Sequence, residues 1–124
     1  SNIASWAAYN ASKAAVNAYA RTLANEERDI ACFPIHPGIV DTDMQVQIRA
    51  NDQMPAAQRE WIASLPRAGK LVPPEKPAEV LAALALRGTR TAPVLDDGTA
   101  VGADGTFLSW DDAVLTAWRT GGRV

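Results

Sequence analysis

The sequence has 124 residues, of which 48% are hydrophobic and 21% charged, and a net charge of −2; this is the size and composition of a single globular domain. No basic excess is present to hold a phosphate backbone, which argues against a nucleic-acid partner, and no apolar run is long enough to cross a bilayer, which argues against a membrane one. The single cysteine, Cys32, leaves no internal disulfide and fits a reducing, cytoplasmic setting.

The stretch Ser1 to Trp6 lacks the basic start and apolar core of a secretory signal, and without an initiator Met the sequence reads as part of a longer chain. From Ser5 to about Arg28 the pattern predicts one long helix, with Ser5 as its N-cap and alanine, the best helix former, throughout. Ala11, Ala15, Ala18, Thr22 and Leu23 recur at helical spacing, and Glu26 to Asp29 form a polar end. Ile30 to Ile35 is apolar on both faces and reads as a buried strand of a parallel sheet, although Pro34 cannot donate to a ladder. A helix followed by such a strand is half of a βαβ unit.

Between Val40 and Pro74 polar residues dominate, with prolines at 55, 66, 73 and 74, and only about Ala56 to Leu65 looks helical. A long, weakly ordered segment after the carboxyl end of a strand is the usual place for a lid or binding loop. Glu75 to Arg87 predicts a second helix: Pro77 suits its first turn, Val80, Leu81, Leu84 and Ala85 form an apolar stripe, and Gly88 ends it. Thr89 to Thr106 is rich in turn signals, including Asp97-Gly98 and Asp104-Gly105. Phe107 to Trp110 reads as a last short strand, with Asp111 to Trp118 as an amphipathic turn or helix against it. The fold class is therefore α/β.

Tyr9 and Lys13 stand four residues apart on the first helix, so their side chains share a face. A free tyrosine hydroxyl, with a pKa of about 10, is a poor proton donor and acceptor near neutrality. A lysine ammonium beside it favours the phenolate, so the pair could pass a proton to a carbonyl oxygen or take one back. The spacing alone is equally that of a solvated helix face.

The wider context narrows the choice. Tyr9-Asn10-Ala11-Ser12-Lys13-Ala14-Ala15 is followed, through the helix and strand, by His36-Pro37-Gly38-Ile39-Val40-Asp41-Thr42-Asp43-Met44. In the order and interval of these two segments the sequence resembles the short-chain dehydrogenase/reductase family. With Thr22 to Glu27 and Gln45 to Arg49 it is similar to the fungal benzil-reductase and sepiapterin-reductase-like members. The resemblance implies that residues 1–124 are the C-terminal catalytic and substrate-binding half of such a domain. The fold would be the C-terminal portion of a doubly wound Rossmann-type parallel sheet, incomplete in this chain.

The same resemblance implies that Tyr9 is the general acid/base and that Lys13 assists it and bonds the nicotinamide ribose. It implies that Pro37 and Gly38 shape a turn against the nicotinamide, and that Ile39 and Thr42 contact its carboxamide. Tyr9, Lys13, Pro37, Gly38, Ile39 and Thr42 are thus the expected cofactor contacts, with NADP as the cofactor and NAD the alternative. The expected reaction is reduction of a small ketone or diketone, in a protein that forms a homo-oligomer, dimer or tetramer. The family's catalytic serine would precede Ser1, and its glycine-rich phosphate loop has no counterpart here; Gly98, Gly102 and Gly105 read as turn glycines. A non-catalytic chain that binds no cofactor alone and persists by association with another chain is the alternative.

The remaining conspicuous residues read as structural. His36 is the one histidine and makes no metal site. Cys32 reads as a small buried side chain. Trp6, Trp61, Trp110 and Trp118 read as core or interface material, Trp61 lying in the binding segment; Asp41 and Asp43 flank Thr42 as caps for the next segment.

Overall fold

The computed structural model describes residues 6–119. Helix α1 spans Ala7–Glu26, as its alanine content dictates, and stops where Glu27 turns extended. Ser5, expected as its cap, lies outside the described residues; Trp6 holds the position before the first turn and makes no side-chain cap bond. Of the 20 residues in α1 only Ala24 is fully enclosed. The helix is fastened at its C-terminal end, where Arg90 donates to the carbonyls of Ala24 (2.9 Å), Glu27 (3.0 Å) and Ile30 (2.6 Å). The Ala24 carbonyl is one of the acceptors that a helix end leaves without an intrahelical partner, and those of Glu27 and Ile30 belong to the turn that follows.

The chain then runs extended to strand β1, Ile35–His36, which pairs in parallel with β2, Leu108–Ser109, in the register Ile35 to Leu108. The parallel pairing agrees with the sequence pattern, but the regular ladder starts later than Ile30. Pro34 explains the difference: it takes part only as an acceptor, its carbonyl receiving the Leu108 N–H at 3.1 Å, and ladder pairing proper begins beyond it. Phe33, just before, packs between two glycines. A Cβ on Gly88 would lie 2.7 Å from the Phe33 ring, and one on Gly102 would lie 2.9 Å from it. Both positions must be glycine for the Phe33 ring to pack against the end of the helix before Gly88 and the short helix that contains Gly102.

The segment from Val40 to Pro74 is more ordered than its composition predicts. It contains two helices, α2 at Asp43–Ala50 and α3 at Ala56–Ser64, and the first of these departs from the sequence expectation. The signals for α2 are electrostatic rather than apolar: Asp43 stands in its first turn and Arg49 in its last, each matched to the macrodipole. Helix α4 spans Glu75–Arg87, as predicted, and Gly88 follows it. Its buried face is Pro77, Val80, Ala83 and Leu84; Leu81 and Ala85, expected in the stripe, point outward. The short helix α5, Val101–Asp104, ends on Gly105 in the left-handed conformation (φ 67°). Beyond β2, a 3-10 turn at Ala113–Leu115 leads into α6, Thr116–Arg119.

The core is formed by Val80, Leu84, Val101, Leu108 and Leu115, with Phe33, Ile35, Leu95, Trp110, Val114 and Trp118 packed against it. It joins α4, α5, β2 and the 3-10 turn, with α6 packed on α4; α1 stands outside it. Cys32 is buried and free, as expected. No helix among the described residues is long and apolar enough to cross a membrane.

Candidate active site

Strand β1 delivers the chain to a turn at Pro37-Gly38. Gly38 takes a positive φ of 81°, and a Cβ there would press to 3.1 Å from both Trp110 Nε1 and Val72 Cγ2. The turn is then pinned by a short parallel bridge of Val40 with Val72. Val72 N–H donates to the Ile39 carbonyl at 2.8 Å, and Asp41 N–H donates to the Val72 carbonyl at 2.9 Å. These bonds hold Ile39 and Thr42 in place. Thr42 sits extended before α2, its carbonyl receiving the Gln45 N–H at 2.9 Å while its hydroxyl makes no cap bond. The Thr42 side chain is therefore not spent on the helix it precedes.

Tyr9, in the first turn of α1, is 40% exposed, so its phenol can be reached by a ligand. Its ring meets Trp6 edge-on, with centroids 5.1 Å apart and planes at 71°, a favoured aromatic geometry. Lys13 Nζ lies 5.6 Å from the centre of the Tyr9 ring, over its face. The i, i+4 pair therefore meets as the spacing predicts, and the ammonium rests against the ring.

Tyr9, Pro37, Gly38, Ile39 and Thr42 all border one cavity of about 570 Å³, a size suited to a small organic ligand. Lys13 is not on its walls; it reaches the site through Tyr9. Most of the rest of the lining comes from the Val40 to Pro74 segment, expected from sequence as a lid or binding loop, and from α4, whose part the sequence did not show. Helix α2 supplies Met44, Gln45 and Ile48, α3 supplies Trp61 and Ile62 with Leu65 just after it, and α4 supplies Pro77, Ala78 and Leu81. Leu81 thus leaves the core stripe to face the cavity. Trp61, 46% exposed, presents an aromatic surface there. His36, read from sequence as structural, is exposed, stands 6.4 Å from the Phe107 ring and also borders the cavity. Its place next to Pro37-Gly38 was the available clue. Among the described residues no three His, Cys, Asp or Glu side chains cluster to hold a metal ion.

Two adjacent parallel strands, helices around them and a cavity at the carboxyl end of β1 define part of a doubly wound α/β fold, in which ligands bind at that end. Residues 1–53 match the short chain dehydrogenase family. The uncharacterized oxidoreductase YIR035C of Saccharomyces cerevisiae is 44% identical over 114 residues, which cover 90% of this chain and 41% of that protein. Its crystal structure superposes with a TM-score of 0.81 at 40% identity, covering 96% of this chain and 44% of the other. Benzil reductase ((S)-benzoin forming) IRC24 of the same yeast is 40% identical over 88 residues, covering 67% of this chain and 34% of that protein. The chain belongs to the short-chain dehydrogenase/reductase family, and spans less than half the length of these relatives.

Proposed function

We propose that this chain carries the acid–base end and the substrate cavity of an NAD(P)-dependent carbonyl reductase. The observation that supports this most is the position of Tyr9: an accessible phenol, with an ammonium over its ring, at the edge of an apolar cavity whose other edge is the Pro37–Thr42 turn. A proton is needed there because reduction of a carbonyl leaves negative charge on oxygen. Tyr9 gives its hydroxyl proton to that oxygen as the C–H bond forms at carbon, and the phenolate regains a proton from solvent. Lys13 offsets the charge left on the ring oxygen. In the reverse direction Tyr9 accepts the proton.

The residues present fit a nicotinamide. Gly38 lets the backbone turn without a side chain in the way, and the Thr42 hydroxyl is uncommitted. Tyr9, Lys13, Pro37, Gly38, Ile39 and Thr42 would hold that end of the cofactor, NADP in our reading and NAD otherwise. When bound, the cofactor supplies the hydride. The apolar lining, with Trp6 and Trp61, fits an aromatic ketone or diketone, and the benzil reductases among the relatives support that class. The exposed small and apolar residues of α1, Ala11, Ala15, Val16 and Tyr19, suit packing in a homo-oligomer.

The test follows NADPH absorbance with benzil as substrate. Turnover by the full-length protein, and a loss of about 10²-fold or more in kcat on Tyr9→Phe, is the expected result, whereas residues 1–124 alone should show no measurable NADPH binding. Unchanged turnover in Tyr9→Phe would remove Tyr9 from the mechanism.

A further inference from the structure

Two polar side chains of the cavity, His36 and Gln45, are employed by neither the reaction nor the turn, and of these Gln45 is the less exposed. It lies in the first turn of α2, half-buried, with its backbone N–H already bonded to Thr42. Its side-chain oxygen Oε1 is closed off from water and has no hydrogen-bond partner. Buried polar atoms are nearly always bonded, and leaving one unbonded costs stability. The neighbours Val46 and Gln47 are exposed, so a glutamine needed only for its polarity is already supplied on the outer face of α2. Met44, Ile48, Ile62 and Leu65 line the same cavity, and Arg49, four residues further along α2, has a buried Nη1 that is likewise unbonded.

A side-chain amide joins two donors and an acceptor on one planar group, and turning it about its last bond exchanges them. Because Oε1 is bonded to nothing, it gives up no hydrogen bond when the amide turns toward a ligand. We propose that Gln45 is a specificity-determining residue: it hydrogen-bonds a second oxygen of the substrate, away from the carbonyl that Tyr9 protonates. The preferred substrate is then a largely apolar carbonyl compound with two oxygen functions, a diketone or hydroxyketone, rather than a simple ketone. This rests on the carbonyl-reductase reading above. A site built to bond a polar group discriminates strongly against the analogue that lacks it, since its own group is then left unpaired.

The experiment compares benzil with deoxybenzoin, the same diaryl skeleton with one carbonyl replaced by CH₂. For each, kcat/KM is measured in the full-length wild type, Gln45→Met and Gln45→Leu, after circular dichroism has shown the variants folded. In parallel, quenching of tryptophan fluorescence, from Trp6 and Trp61 at the cavity, gives the Kd of each ketone without any turnover. The expected result is that the preference for benzil falls about five- to tenfold in both variants, the worth of one neutral hydrogen bond. The same preference in wild type and variants, by either measurement, overturns the role of Gln45. Absence of turnover of both ketones by the wild type would instead overturn the reductase reading, and the ratio of Kd values would still decide Gln45.

Discussion

Asp111 shows how much a single hydroxyl can do at an exposed position. The Ser109 side chain donates to its carboxylate, and this bond, ahead of the weaker pull of Arg119 and His36, holds the Asp111 carboxyl below its ordinary range. A carboxyl depressed in the folded state adds stability above its unfolded pKa, and that stability is lost as pH falls through the folded value. Asp111 is exposed, so the effect is confined to acid conditions and is small. Ser109→Ala should therefore move the Asp111 titration upward, toward the ordinary carboxylate range, in an NMR pH series. An unmoved titration would show that the hydroxyl is not the cause. Gly88 and Gly102 make the complementary point for packing. Their lack of a side chain admits the Phe33 ring, a requirement invisible until the three residues are seen together.

Arg90 acts on a whole element. It stands at least 60 positions from the carbonyls it bonds at the end of α1, and also reaches the Ala103 carbonyl at 3.5 Å. Arg90→Ala should destabilise the protein by about 1.5–3 kcal/mol, the range for hydrogen bonds to a charged group, read as a lower urea midpoint. Arg90→Lys should recover only part of this: Nη1 alone makes the three bonds at the end of α1, but the contact of Nη2 with Ala103 and the fixed plane that aims both nitrogens are lost. Equal stability of Arg90→Ala and wild type would mean that water caps α1 as well as Arg90 does. Nothing in the local sequence around Arg90 announces this role, since it depends on a distant helix end. By contrast α4 is legible to the residue, because Pro77, the apolar repeat and Gly88 are all local signals. Helix α2 is hidden by its polar composition. The strand at Ile35 is legible in the apolar run but its start is not, because hydrophobicity marks burial while the ladder depends on where Pro34 lies. In the candidate site, the contributions of α1 and of the turn after β1 are readable from Tyr9, Lys13 and the Pro37-Gly38 segment. A binding role for the Val40 to Pro74 segment and Trp61 is readable too, but the parts of α2 and of Leu81 in α4 are not, because they arise from tertiary packing.

At the scale of the molecule, the two halves of the site differ in how firmly they are held. The Pro37–Thr42 turn is tied by bonds to Val72 and backed by the core, whereas Tyr9 sits near the far end of α1 from the bonds of Arg90. Close contact at Gly105, where a Cβ would lie 2.9 Å from the Ala20 carbonyl oxygen and the Arg21 Cα, also falls in the later half of that helix. Most helical stability in proteins comes from packing rather than from propensity. Local opening should therefore be easiest where α1 touches least. In native-state hydrogen exchange the amides of Ala18 to Glu26 should be protected well beyond those of Tyr9 to Ala14; uniform protection along α1 would contradict this. The proton donor is thus mounted like the tip of a cantilever clamped at its root. Whatever surface comes to rest along the exposed side of α1 would stiffen the beam, and with it the aim of the phenol into the cavity.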